Sequence, residues 1–297
     1  MSYLVNAIRG FCMALADSVP GVSGGTIAFV LGFYDKFINS LNSLIYDDMK
    51  KKKEAFFFLI KLGIGWVIGM VLAVFILTSL FEKQIYVVSS VFLGFIVFSI
   101  PLIIGTEKSA LQGKYKNLIF LLFGILIVGF ITYFNPVSGG DSAVNLSHLN
   151  IGLLLYIFVA GMVAISAMVL PGISGSTLLL IFGLYIPIMT SIKKFLHFDF
   201  SVLPVLIFFG LGVITGILLV IRLIKKALES YRSQMIYFIL GLMIGSLYAI
   251  VMGPTTLDVP QNPMSFQTFS ILAFLFGGLI IFGLERLRVV LEKKHID

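Results

Sequence analysis

ADSVPGVSGGTIAFVLGFY (Ala16 to Tyr34) decides the fold, because AMVLPGISGSTLLLIFGLY (Ala167 to Tyr185) repeats it 151 residues later without a gap. In that register Pro20 falls on Pro171, Gly21 on Gly172, Ser23 on Ser174, Gly24 on Gly175, Thr26 on Thr177, Gly32 on Gly183 and Tyr34 on Tyr185. Each copy sets Pro, Gly and Ser inside an apolar run, so a helix must stop, release backbone N–H and C=O groups, and restart. In lipid such a break survives only where protein or a water-filled cavity covers it.

The composition surrounding these copies is that of a membrane protein. Of 297 residues 59% are hydrophobic and only 12% charged, where soluble domains carry about a quarter. Apolar segments near the roughly 20 residues needed to span a bilayer run from Phe56 to Leu80, Ile85 to Gly105, Leu118 to Phe134, Val202 to Ile221, Met235 to Met252 and Phe269 to Leu284. Two longer apolar stretches, Leu4 to Leu44 and Ile151 to Ile192, carry the breaks. The expected fold class is therefore an all-α integral membrane protein. Ala14-Leu15-Ala16 resembles a signal-peptidase site, but Arg9 interrupts the apolar run before it and the repeated motif follows at once, so no cleavage is expected. Cys12, the sole cysteine, reads as an apolar filler. His148, His197 and His295 lack ligand spacing, so neither a metal nor a cofactor is expected.

A net charge of +7 does not point to nucleic acid, because the basic residues lie in short loops and at the C-terminus. They obey the positive-inside rule instead. Lys50 to Lys53, then Lys108, Lys114 and Lys116, then Arg222, Lys225, Lys226 and Arg232, and finally Arg286, Arg288, Lys293 and Lys294 mark the cytoplasmic side. Asn135 to Asn150 and Gly253 to Gln267 hold no Lys or Arg and should be external. Both termini are then cytoplasmic. Each half crosses the membrane an odd number of times, so the second half (151–297) is inverted relative to the first (1–134), with 135–150 as an external linker. This is the inverted-repeat architecture of secondary transporters. Further matches support it: GIGWVIG from Gly63 aligns with GLGVITG from Gly210, and Gly94 and Ser99 with Gly241 and Ser246, all at an offset of 147. These glycines read as sites of close helix packing. Each half is thus expected to be a broken helical hairpin followed by three transmembrane helices. The hairpins read as re-entrant, because the limb from Tyr3 to Ser18 would be only about 24 Å long, short of a roughly 30 Å hydrocarbon core.

The chemistry lies at the breaks. Restarting at Gly24 or Gly175 with Ser23 or Ser174 as N-cap, each helix aims free N–H groups and its dipole's positive end into the protein, a setting for an anion. Ser23, Gly24, Gly25 and Thr26 in the first copy, and Ser174, Gly175, Ser176 and Thr177 in the second, are the expected substrate-binding residues. Serine and glycine also serve simple close packing, which is the competing reading. Asp17, whose counterpart is Met168, is an expensive carboxylate in an apolar segment. It is the proton-coupling candidate, or else a cap for the freed amides. Arg9 is a candidate phosphate ligand or a cation snorkelling to the interface; Lys61 has the same two readings. Tyr34 and Tyr185 read as interfacial anchors. Asn145-Leu146-Ser147 matches a glycosylation acceptor only formally.

ADSVPGVSGGT and PGISGST, with Arg9-Gly10 upstream and Gly-x-Tyr closing each copy, closely resemble the bacterial DUF368 membrane family over essentially the whole chain. The resemblance implies a translocase that returns undecaprenyl phosphate from the outer to the cytoplasmic leaflet for cell-envelope synthesis. Its partners would be that lipid and the membrane of a bacterial cell; coupling to a proton or another ion, with Asp17 as the candidate group for a proton, is a separate expectation from the residues. A transporter or channel for a small soluble anion uses the same motifs and is the alternative. An enzyme would need a nucleophile or metal constellation, and the sequence offers none.

Overall fold

A computed structural model describes residues 3–17, 23–133, 146, 149–256 and 261–293. The chain is all helical among these residues. In order the helices are α1 (Tyr3–Asp17), α2 (Gly24–Val30), α3 (Tyr34–Tyr46), α4 (Met49–Thr106), α5 (Lys108–Leu111), α6 (Leu118–Tyr133), α7 (Ile151–Val169), α8 (Gly175–Ile181), α9 (Tyr185–Leu196), α10 (Leu203–Ser230), α11 (Arg232–Met252) and α12 (Ile271–Lys293). Among the described residues, six segments are long and apolar enough to cross a membrane: 49–72 and 84–106 within α4, 115–133, 151–169, 200–230 and 232–255. The chain is an integral membrane protein. The apolar part of α12, Ile271–Gly283, is shorter than the span expected there.

Both breaks follow one local plan. α2 and α8 each have seven residues, start at a glycine after a serine N-cap, and end in a glycine turn. Gly32 (φ 67°) and Gly183 (φ 64°) take the left-handed conformation that a Cβ would strain. The following amides close the turn alike: Phe33 N–H donates to the Ala28 carbonyl at 3.0 Å, and Leu184 N–H to that of Leu179 at 2.9 Å. α8 and α9 meet at a bend of 110°. With 15 residues, α1 reaches about 22 Å, short of a membrane core, whereas α7 with 19 residues crosses by length alone.

The long helices share another joint. α4 is interrupted at Gln84 (φ −139°, ψ 34°), and 147 residues later Tyr231 (φ −130°, ψ 40°) separates α10 from α11.

Glycines set how the helices pair, and the pairings recur. A Cβ at Gly65 would strike the Ala7 carbonyl, and one at Gly212 that of Phe158; Gly69 abuts Phe11 and Ala14, and Gly216 abuts Met162 and Ile165. α1 therefore runs beside the first limb of α4 in the same direction, as α7 does beside α10. The second limb of α4, α6, α11 and α12 exchange partners between the halves. Gly94 and Gly277 bring the second limb of α4 against α12, while Gly241 and Gly124 bring α11 against α6. The expectation of close packing holds for these glycines but not for Gly63 and Gly210, where an added Cβ would meet nothing within 4 Å. Only two glycines in each GxGxxxG triplet lie on the contact face of the helix. Ser99 and Ser246, both fully buried, turn back to the Ile96 and Met243 carbonyls at 2.7 and 2.8 Å.

One end of the bundle gathers the lysine-rich loops. There Asn117 donates to Ser233 Oγ at 2.7 Å and the Tyr237 hydroxyl to the Leu111 carbonyl at 3.1 Å. Arg232 binds Glu107 through two nitrogens and Asp35 through a third contact at 3.0 Å. Arg232, Glu107 and Asp35 line a cavity of about 230 Å³. At the other end Tyr86 donates to the Asn262 carbonyl at 3.0 Å, and Ser270 N–H to Ser90 Oγ at 3.0 Å.

Candidate functional site

The two breaks lie against each other. Ser23 Oγ donates to the Leu170 carbonyl at 3.1 Å, Gly172 N–H donates to Thr26 Oγ1 at 2.8 Å, and the Tyr34 hydroxyl reaches the Val169 carbonyl at 3.2 Å. Each of these bonds joins one repeated copy to the other. Only glycine fits at position 25, because a Cβ would sit 2.7 Å from the Val169 carbonyl oxygen and 3.2 Å from the Leu170 carbonyl carbon. Gly172 is in the left-handed region (φ 87°), with backbone of Leu242 2.6 Å from where its Cβ would be. Backbone carbonyls released at the end of α7 are thus satisfied by hydroxyls of Ser23 and Tyr34, as buried polar groups must be.

Asp17 closes the first copy. Its Oδ1 accepts from Gly24 N–H at 2.6 Å and its Oδ2 from the Trp66 indole N–H at 2.9 Å. A carboxylate therefore sits on the first amide of α2, where helix dipole and free N–H favour negative charge. Of the two roles expected for Asp17, its geometry is that of a cap. Ser23 Oγ accepts from Thr26 N–H at 3.3 Å and shares a 3.1 Å hydrogen bond with Thr26 Oγ1. The second copy differs. Ser174 stands at the N-cap but makes no side-chain cap bond; its Oγ instead pairs with Ser176 Oγ at 2.7 Å. Gly175 packs on the Ala164 carbonyl, 2.7 Å from its would-be Cβ.

Arg9 is buried at 6% exposure, its guanidinium 4.8 Å from the Phe33 ring centre and 3.5 Å from Asn6 Oδ1. It does not snorkel. Lys61 is half-buried, its ammonium 3.6 Å from the ring centre of Tyr3 at the start of α1. Tyr34 corrects the expected anchoring role: at 2% exposure it is a core residue whose hydroxyl braces the second break. Tyr185 is half-buried. Cys12 packs at the edge of the core, as expected of a filler. Pro20, Gly21, His148, His295, Asn145, Ser147, Lys294 and nearly all of the 135–150 linker lie outside the described residues.

Sequence reasoning missed Trp66. The signal was present: it is the only tryptophan in the chain, and its counterpart at the 147 offset is Val213. Where the first half has Asp17 and Trp66, the second has Met168 and Val213, so the two polar partners are absent together.

Comparison with known proteins shows the family of the chain. Residues 13–268 match the undecaprenyl phosphate translocase-like family. The chain belongs to that family. It is 33% identical to a polyprenyl-phosphate transporter of Staphylococcus aureus (strain NCTC 8325 / PS 47) over 287 residues, 95% of this chain and 96% of that protein. It is 30% identical to a polyprenyl-phosphate transporter of Vibrio cholerae serotype O1 over 257 residues, 83% of this chain and 77% of the relative. No solved structure matches it. Among the described residues no cluster of His, Cys, Asp or Glu is placed to hold a metal ion.

Proposed function

We propose that this protein carries polyprenyl phosphates, undecaprenyl phosphate foremost, from the outer to the cytoplasmic leaflet of a bacterial membrane, with the phosphate headgroup bound where the two breaks meet. The substrate class follows from family membership and from the names of the two relatives. One observation carries the site: Asp17 puts a carboxylate oxygen 2.6 Å from the Gly24 amide. That oxygen stands where a phosphate oxygen would stand, so α2 already holds an anion. In this reading the headgroup displaces the carboxylate, helped by protonation of Asp17, and takes the amides and hydroxyls of Ser23, Gly24, Gly25 and Thr26. Ser174, Gly175, Ser176 and Thr177 supply the matching face, and Arg9 waits further along α1. The tail stays in lipid throughout.

Alternating access follows from inverting one half on the other. Support comes from the paired contacts at offsets of 151 and 147, from the matched joints at Gln84 and Tyr231, and from the lysine-rich loops collected at one end. The lysine-rich end, with both termini, faces the cytoplasm.

The test is flux in proteoliposomes, following labelled undecaprenyl phosphate to the far leaflet with inorganic phosphate as comparison. Lipid movement that inorganic phosphate does not match supports the translocase. Movement of inorganic phosphate alone refutes it in favour of a soluble-anion transporter.

A further inference from the structure

Arg9, Lys36 and Lys61 come together from α1, α3 and the first limb of α4. Each cation rests on an aromatic face: Arg9 on Phe33 at 4.8 Å, Lys36 on Phe58 at 4.8 Å and Lys61 on Tyr3 at 3.6 Å from the ring centres. Arg9 and Lys61 both lie near enough to Lys36 to repel its charge. Neither Lys36 nor Lys61 forms an ion pair with a described carboxylate. Like charges gathered this way work against folding, and cation–π contacts offset only part of that cost.

The second half shows that the fold does not require these charges. At the same offsets Arg9 corresponds to Ala160, Lys36 to Pro187 and Lys61 to Phe208. Ala160 and Phe208 belong there to an apolar cluster with Leu184, Ile188 and Val205. One architecture thus has an oily junction in one half and three cations at the equivalent junction in the other. The charged version lies in the half whose α1 begins beside Lys61, and Lys36 follows Tyr34 by only two residues, so the cluster adjoins the break. Lys36 is exposed, Lys61 half-exposed and Arg9 buried, so the charges are graded from the surface inward.

We propose that Arg9, Lys36 and Lys61 form a second anion site, a station for a phosphomonoester on its way between the breaks and the lysine-rich end of the bundle. A dianionic phosphate complements this group of cations, whose two lysines form no ion pair with a described carboxylate. The proposal rests on the transport reading above and adds to it a separate resting place with its own ligands.

Binding to the full-length protein in detergent tests it, with undecaprenyl phosphate, undecaprenol and inorganic phosphate as probes. Wild-type protein that fails to prefer undecaprenyl phosphate over undecaprenol sinks the transport reading itself. Given that preference, Lys36→Gln with Lys61→Gln is expected to weaken undecaprenyl phosphate binding at least about tenfold, leave undecaprenol retention unchanged, and reduce the salt dependence. Lys36→Arg with Lys61→Arg should restore it. Inorganic phosphate competing at the wild-type site but not in the Gln variant marks a site that reads phosphate alone; failure to compete marks one that needs the lipid. Wild-type affinity in the Gln variant overturns the proposal. So does loss of thermal stability together with binding that arginine does not restore, because the lysines would then be structural.

Discussion

Replacing Gly25 by Ala tests whether the breaks are built on each other. The added methyl would lie 2.7 Å from the Val169 carbonyl oxygen and 3.2 Å from the Leu170 carbonyl carbon, both backbone atoms of the opposite copy. Neither can rotate away, so the breaks must separate. Overpacking of this kind costs about 1–3 kcal/mol. Helix propensity acts the other way, since Ala exceeds Gly by about 1 kcal/mol in a helix. Gly63→Ala supplies the control, because it gains propensity in α4 with nothing within 4 Å of the new methyl. Subtracting one from the other cancels propensity and leaves the contact. Gly25→Ala should therefore unfold more readily than Gly63→Ala by about 1–3 kcal/mol, at roughly 2–4 °C of melting temperature per kcal/mol. Thermal denaturation of the two purified variants, with lipid flux beside it, is the assay. Equal melting temperatures would refute the docking of Gly25 onto the Val169–Leu170 backbone.

Two further outcomes concern the pair around Asp17. Asp17→Asn keeps the shape but cannot accept from both Gly24 and the Trp66 indole while carrying a proton to and fro, so it should flatten the pH dependence of flux; a profile parallel to wild type removes proton coupling. Trp66→Phe deletes one donor to the carboxylate and should cost about 1.5–3 kcal/mol of stability, and most of that loss should disappear when measured in the Asp17→Asn background. A loss of the same size in both backgrounds would show that Trp66 acts by packing alone.

The fold was legible where the sequence repeats itself. The gapless 151-residue offset located both restart helices to the residue, with Ser23 and Ser174 at the N-caps, because Pro, Gly and Ser act through local backbone conformation. What stayed hidden depended on partners distant in the chain. Tyr34 looked like an interfacial aromatic until the Val169 carbonyl gave its hydroxyl a buried acceptor. Arg9 carried no sign that Phe33 would cover it, since the ring approaches from beyond a glycine turn. Gly63 belongs to the same triplet as Gly65 and Gly69, yet only helix rotation decides which of them meets α1. The Asp17–Trp66 bond could have been found, because both residues break the internal symmetry. Asking which asymmetric positions in a duplicated chain are polar together would have paired them.

The exchange of partners between the halves bears on how such a protein moves. α6 packs on α11 and α12 on the second limb of α4, each contact set by glycines that bring backbone against backbone. A half cannot then rock as a body without tearing the other. The contacts between α1 and the first limb of α4, and between α7 and α10, stay within one half, and the joints at Gln84 and Tyr231 connect these pairs to the exchanged ones. The hypothesis that follows is that the two broken hairpins, each with its long partner, swing on these joints against a fixed frame of exchanged helices. A disulfide inside the frame should then be harmless. Asn117 and Ser233 join α11 to the turn before α6 through a 2.7 Å side-chain hydrogen bond, and Cys12 is the only native thiol to remove. With Cys12→Ala, oxidation of the Asn117→Cys, Ser233→Cys protein should leave flux within about twofold of its reduced form, since a closed bond adds no load to a contact that does not move. Flux that stops on oxidation and returns on reduction would place motion in the frame and overturn this division.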